Sequence, residues 1–226
     1  MTGIRDAGCL LLALGLVAGC GGAKKESGST DTSSTTPATV TLTDRLLRPG
    51  ELPGTTRTSP PEVHTSPSKP LWTGSALGFV VAAKALRAAG FRAGATERLP
   101  RPNSLDYADS SVLRFSSAAS ARREADAVLA HQRHYAPDPL FDVVRVHQRS
   151  LPGVPGGRVV DLALSSRSDK TAFDRAYVVV IADGPFLETV FTNSTSDGAA
   201  GTFPGDDVLA AAKSLYDRTH LAAASP

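Results

Sequence analysis

Cysteine is nearly absent from this chain of 226 residues. Cys9 and Cys20 are the only two, and both lie within the first twenty residues. No intrachain disulfide and no thiolate metal site can therefore form downstream of Cys20. Because a folded part of about 180 residues buries enough surface to do without such cross-links, we expect packing alone to hold the fold together.

The sequence also lacks a strong excess of charge of either sign. Its formal net charge is +2, which is too small to predict nucleic acid or an anionic membrane surface as a partner. The 41% of hydrophobic residues can support a core. The length fits one domain of the usual about 100–150 residues or slightly more, together with a targeting segment and a linker.

The apolar run near the N-terminus is too short to cross a membrane. Arg5 is followed by the almost unbroken apolar or small stretch from Ala7 to Ala18, about 12 residues long, whereas a transmembrane helix needs about 20. A short positive start and an apolar core of this length are typical of a cleaved signal peptide. The stretch ends in Val17-Ala18-Gly19-Cys20, which resembles the lipobox of bacterial lipoproteins.

This resemblance implies that residues 1–19 are removed and that the Cys20 thiol carries diacylglycerol. Residues 20–41 are mostly Ser, Thr, Gly, Pro and Ala, a composition that predicts a flexible linker. Residues 42–226 are then a single domain held on the outer face of the cell membrane, since two acyl chains give stable attachment. The alternatives are an ordinary secretory signal and a buried apolar helix.

The spacing of apolar residues after position 42 predicts the order αββαββββα. Helices are expected at 75–89, ended by Gly90, from Ser120 to about 134, and from Asp206 onward. Strands are expected at 91–99, 112–116, 141–147, 158–164, 177–182 and 186–192, the last four as an antiparallel meander with short connections. Runs of strands with helices set apart predict an α+β domain, with helices packed on a mainly antiparallel sheet.

This order of elements, with Leu46-Leu47-Arg48-Pro49-Gly50-Glu51-Leu52-Pro53-Gly54 leading in, carries a second resemblance. It is similar to the secreted sensor-type domains of actinobacterial lipoproteins and to the extracellular sensor domain of some mycobacterial Ser/Thr kinases, over about residues 42–221. The resemblance implies a sensing architecture and brings no catalytic motif. The kinase type uses disulfides that this chain lacks.

The sequence contains none of the common catalytic motifs. It has no Gly-x-Ser-x-Gly, phosphate loop, dinucleotide fingerprint or His-Glu-x-x-His. Ser75 has the wrong glycine spacing for a nucleophile and is expected to begin a helix. The glycines at 153–157 open a strand and not a helix, so they predict a turn and no anion site. His64, in a proline-rich loop, is expected to be a surface or packing histidine.

One candidate metal site is visible in the pattern. His131 and His134 share a helix face, and Asp138 or Asp142 would add oxygen ligands. Arg133 lies between the two histidines. The helix dipole alone favours histidine in the last turn of a helix, without any bound metal. We therefore expect a solvated helix end and no bound metal.

A catalytic pair of carboxylates is a further hypothesis. Asp161 lies in an apolar strand, and Asp174 or Glu188 would face it across the sheet with a shifted pKa. However, Val160, Leu162 and Leu164 form the apolar register of that strand, so alternation places Asp161 on the opposite, wet face.

These observations together predict a non-enzymatic ligand-binding or sensing domain without cofactor. The alternatives are a cell-envelope hydrolase with a dispersed active site and a structural partner of another envelope protein. Because the apolar hairpin at 177–191 lies beside alanine-rich helices whose small side chains leave room, an apolar or amphiphilic envelope ligand is expected there. A filled core is the competing interpretation.

Overall fold

A computed structural model of the protein describes residues 40–67, 71–72, 80–81, 83–133, 141–166, 173–194 and 203–224. Within these residues the chain forms a 3-10 turn, nine strands and three helices. In order they are the turn Thr43–Arg45, β1 (Glu62–His64), β2 (Leu71–Trp72), β3 (Val80–Val81), α1 (Ala83–Ala88), β4 (Phe91–Pro100), β5 (Tyr107–Phe115), α2 (Ala118–Arg133), β6 (Phe141–Ser150), β7 (Arg158–Ser166), β8 (Phe173–Asp183), β9 (Phe186–Ser194) and α3 (Gly205–Ala224).

Seven of the strands form one sheet in the order β1-β4-β5-β9-β8-β7-β6, and β2 pairs with β3 separately. Every pairing in the large sheet is antiparallel. β4 and β5, both expected as strands, pair as a hairpin, and the predicted meander from β6 to β9 is confirmed. Pairing of β5 with β9 joins the hairpin and the meander into one sheet. The α+β class is therefore confirmed.

The sheet is buried on both faces over its central strands. Side chains of β8 alternate between two cores: Val178 and Val180 pack with α2, whereas Val179 and Ile181 pack with α3. We call the two sides the α2 face and the α3 face. Because both faces are covered, β8 reads as an unbroken apolar run from Ala176 to Ala182.

The segment before β1 packs on the α3 side of the molecule. Leu47 and Leu52 belong to the same core as α3, and Leu46 packs with Ala95 and Val112 of β4 and β5. All three leucines are fully buried. The first clustered apolar residues of the sequence are thus part of the folded core.

Several elements differ from the prediction. β1 and β2 lie before residue 75, where no strand was expected, and His64 belongs to β1 and not to a loop. Val80 and Val81 form a strand, and α1 begins only after them, so the helix expected over 75–89 is too long; β-branched residues favour an extended backbone. Ser75 lies outside the described residues. β5 begins at Tyr107, well before the strand expected at 112–116. Its first half was not predicted because polar side chains there hide the strand pattern. Gly90 ends α1 as expected, with a φ of 80°.

None of the helices in the described part of the chain is both long and apolar enough to cross a membrane.

Candidate functional site

The predicted lipidation site, Cys20, lies outside the described residues, as do the signal peptide and most of the linker. Lipid attachment therefore stays a prediction that rests on the sequence pattern alone.

The candidate metal site is only partly described. His131 lies in the last turn of α2 and is half-buried, and burial lowers its pKa. His134 and Asp138 lie outside the described residues. Among those that are described, no three His, Cys, Asp or Glu side chains come together in a way that could hold a metal ion.

The hypothesis of a carboxylate pair at Asp161 is not supported by the geometry. Asp161 lies on the α3 face, opposite Leu162, as alternation predicts, but it is buried and not wet because Arg175 covers it, with the guanidinium donating to both carboxylate oxygens at 3.1 and 2.8 Å. The backbone of Asp174 pairs with Leu164. The residue of β9 that is in register with Asp161 is Thr192. Glu188 lies four residues away from Thr192 along the strand, so it does not face Asp161.

Glu188 instead holds the segment before β1 onto the sheet. Its Oε1 accepts a hydrogen bond from Arg45 at 2.6 Å, and the two side chains are 0% and 4% exposed. Arg45 also donates to Asp183 at 3.2 Å and stacks 3.8 Å above the Phe186 ring. Burial raises the pKa of Glu188 to about 7, although Arg45 opposes the effect.

A second arginine holds the same segment from the opposite side. Arg218 of α3 donates to both carboxylate oxygens of Glu51, at 2.9 and 3.1 Å, and to the backbone carbonyls of Asp44 and Leu46. We call Arg45, Glu188, Arg218 and Glu51 the N-terminal clamp. Since each arginine is committed to partners within the fold, the clamp is structural.

The apolar hairpin where a ligand was expected is buried in the core. Every residue from Tyr177 to Ile181 in β8 and from Leu187 to Phe191 in β9 is at most 2% exposed. Their apolar side chains belong to the two cores of the sheet, and Val180 also borders a groove beside α2.

Polar side chains interrupt the α2 face toward the β1 edge of the sheet. The register places Thr96 of β4, Ser111 of β5 and Thr189 of β9 side by side, whereas other positions of this face carry valine, leucine and phenylalanine. Ser111 and Thr189 are buried and hydrogen-bond to each other at 2.5 Å. We call these three residues the hydroxyl row.

Two members of the hydroxyl row, Thr96 and Ser111, line a cleft of about 240 Å³ between the sheet and the loop that precedes β1. Ser59 and Pro60 of that loop line one side, and residues of β1, β4 and β5 line the other: Glu62, Thr96, Glu97, Arg98, Asp109, Ser110 and Ser111. This is the candidate binding site.

The buried charges around the cleft are matched in pairs. Arg98 donates to both oxygens of Asp109 at 2.7 and 2.8 Å, and this bond raises the pKa of the guanidinium. Arg57 binds Glu97 through Nε and, at 2.8 Å, through Nη2. Each carboxylate thus meets a planar guanidinium in bidentate geometry, which fixes the orientation of both groups.

His64, which looks isolated in the sequence, lies at this site. Its Nε2 is 3.2 Å from the Thr96 hydroxyl oxygen, and its Nδ1 is 3.8 Å from a carboxylate oxygen of Glu62. The order hydroxyl, imidazole, carboxylate is that of nucleophilic hydrolases. However, 3.8 Å exceeds a hydrogen bond. Thr96 also lies where β4 pairs with strands on both sides, so the neighbouring backbone N–H groups are not free to stabilise an oxyanion.

A second groove of about 400 Å³ runs between α2 and the β7–β8 part of the sheet. Its charged lining residues are Arg122, Asp126 and Arg158, of which the first two are exposed, and its apolar lining includes Leu129 and Val180. It has no counterpart of the hydroxyl row within the described residues, and we regard the cleft at β1 as the better site.

Sequence reasoning missed this site because its members are far apart in the chain. Thirty-two residues separate His64 from Thr96, and 78 separate Ser111 from Thr189. The available signal was the polar run Asp109-Ser110-Ser111, which reads as a loop unless it is recognised as the start of a strand.

Comparison with known proteins identifies no family for this chain. No protein-family profile matches the chain, and no curated protein is similar to it. Among solved structures, the chain is similar to the extracellular domain of PknH from Mycobacterium tuberculosis. The two share 12% sequence identity with a TM-score of 0.43, over 72% of this chain and 81% of that one.

Proposed function

We propose that this chain is an extracytoplasmic lipoprotein with a non-enzymatic binding domain. It is cut before Cys20 and held on the outer face of the bacterial cell membrane by lipid on that cysteine. Support for the anchor is the short apolar stretch ending in Val17-Ala18-Gly19-Cys20. Support for binding is the cleft beside the hydroxyl row, which is the observation that carries the proposal.

The anchor is tested by replacing Cys20 with serine. Cys20→Ser removes the acceptor for lipid, so we expect the protein to leave the membrane fraction and appear in the soluble fraction of a bacterial expression host. Cys9→Ser is the matched control and should stay with the membrane. A Cys20→Ser protein that still requires detergent for extraction would show that another part of the chain anchors it.

The cleft favours binding over catalysis because its charged groups are already paired. A general base or nucleophile must be free to exchange a proton or attack a substrate, whereas Asp109 and Glu97 each hold a guanidinium. Fixed hydrogen-bond donors and acceptors around a small cavity orient a bound ligand without making or breaking its bonds.

Blocking the cleft tests this function. Ser59 is exposed and lines the cleft, so Ser59→Trp should fill it without disturbing the core; the adjacent exposed Thr58, which is not among the lining residues, provides the control Thr58→Trp. We expect native mass spectrometry to find a small molecule that co-purifies with the wild type and with Thr58→Trp, but not with Ser59→Trp. Equal retention by all three proteins would exclude the cleft.

A hydrolase is the second candidate, because His64 contacts the Thr96 hydroxyl. If Thr96 were a nucleophile, a fluorophosphonate probe would label the wild type and not Thr96→Val. We expect no labelling of either protein, and labelling that depends on both His64 and Thr96 would replace the binding proposal.

A further inference from the structure

We infer that the cleft takes a neutral, hydroxyl-bearing ligand, a single sugar ring of a saccharide, and holds it between the hydroxyl row and the Arg98–Asp109 pair. This inference rests on the proposed function and names the class of ligand for the same cleft.

The hydroxyl row has hydrogen-bonding capacity left over. A hydroxyl group supplies one donor and two acceptor positions. In the bond between Ser111 and Thr189 one of the two hydroxyl hydrogens is used, and Thr96 shares one bond with His64. Thr96 and Ser111, the two members of the row that line the cleft, therefore keep acceptor positions for a ligand, and each can donate to it when its partner supplies the hydrogen of the shared bond. A ligand that carries several hydroxyl groups matches this mixture, because each hydroxyl can both donate and accept a hydrogen bond.

The charges exclude an anion as the preferred ligand. Arg98 and Arg57 are each bound to a carboxylate through two nitrogens, so the positive charge of each guanidinium is already balanced and an anion gains little from it. The remaining charged lining residue, Glu62, is acidic and 71% exposed. A neutral ligand satisfies the cleft without breaking either ion pair.

The Arg98–Asp109 pair presents donor and acceptor groups in one fixed plane. Two of the five N–H donors of Arg98 bond to Asp109, and its guanidinium lies 4.2 Å above the Tyr107 ring, which holds it in place. Adjacent hydroxyls of a sugar ring present paired oxygens at a similar spacing, so the ring can bond to a guanidinium and a carboxylate together.

The size of the cleft limits the ligand to about one ring. Its volume of about 240 Å³ lies below the roughly 300–1,000 Å³ of pockets for drug-sized molecules. The cleft opens at the edge of the sheet beside the exposed loop residues Ser59 and Pro60. The rest of a longer saccharide can therefore extend into solvent.

The test is an array of immobilised neutral and acidic oligosaccharides, probed with the full chain in detergent. We expect binding to neutral members and, for Thr96→Val, a loss of affinity of about tenfold, since one hydrogen bond to the ligand is removed. Thr192→Val is the matched control: it removes a buried threonine hydroxyl on the α3 face, where Thr192 accepts from the Tyr177 backbone N–H, and it should bind like the wild type.

A second variant guards against misfolding of the first. The Arg98 side chain is about half exposed, so Arg98→Lys should leave the melting temperature unchanged. Lysine lacks the planar guanidinium that donates through several nitrogens, so we expect the affinity for the saccharide to fall by tenfold or more. Two outcomes would overturn the saccharide inference alone. One is binding only to the acidic members of the array, and the other is binding to no member while Ser59→Trp still blocks retention of another ligand. Absence of any ligand sensitive to Ser59→Trp would overturn the proposed function as well.

Discussion

Glu188 is the residue whose protonation the fold affects most among the groups described here. It is fully buried, and burial raises its pKa from an ordinary value of 4.5 to about 7 despite the pairing with Arg45. A carboxyl whose pKa is higher in the folded state binds its proton more tightly when folded. Its contribution to stability is therefore fully present below pH 4.5 and is lost as the pH rises to about 7.

Comparison of the wild type with Glu188→Gln isolates this effect. We expect the free energy of unfolding of the wild type, relative to the variant, to fall by up to about 3 kcal/mol between pH 4.5 and 7.5, at 1.36 kcal/mol for each pKa unit. Urea unfolding at a series of pH values measures it. Glu62→Gln, which removes an exposed carboxyl, is the control, and an equal pH slope in wild type and Glu188→Gln would refute the assignment.

At the scale of elements, the most informative contact is the one between α3 and the segment before β1. Hydrophobic burial of Leu46 and Leu47 brings the segment to the sheet, and Arg218 then bonds to two of its carbonyls and to Glu51. Since carbonyl groups in an irregular segment lack ladder partners, these donors replace the bonds that a strand would have provided.

Removal of the Arg218 side chain should loosen this segment selectively. We expect Arg218→Ala to lower the free energy of unfolding by about 1–3 kcal/mol, because it leaves partly buried acceptors without a donor, and to speed amide exchange at residues 44–52. Lys213→Ala on the same helix removes an exposed ion pair with Asp217 and should cost at most about 1 kcal/mol. Similar losses in the two variants would show that Arg218 adds only surface charge.

Prediction of the elements succeeded where the pattern is local. The apolar alternation of Val160, Leu162 and Leu164 and the turn residues at 183–184 identify β7, β8 and β9 directly. The pairing of β5 with β9 is not visible in any local window, and neither is the hydroxyl row that it assembles. Polar side chains satisfied by distant partners look like loop residues in the sequence, which is why the start of β5 was missed.

At the scale of the whole molecule, the fold depends on packing and on no covalent cross-link. Both cysteines precede residue 21, and the described core is a single sheet with helices packed on its two faces. We expect the melting temperature of the full chain in detergent to be the same with and without dithiothreitol. A shift on reduction, measured by scanning calorimetry, would show that Cys9 or Cys20 forms a bond between molecules that supports the fold.

The N-terminal clamp also has a mechanical consequence. If the protein is tethered upstream through Cys20, any pull on the tether enters the domain at residues 40–47, ahead of every strand. The load then falls first on Arg45 and Arg218, whose partners lie in β9 and in the segment itself, and on the buried Leu46 and Leu47. While these contacts hold, the tether cannot pull on the loop that precedes β1, so the cleft at the β1 edge of the sheet keeps its shape under tension.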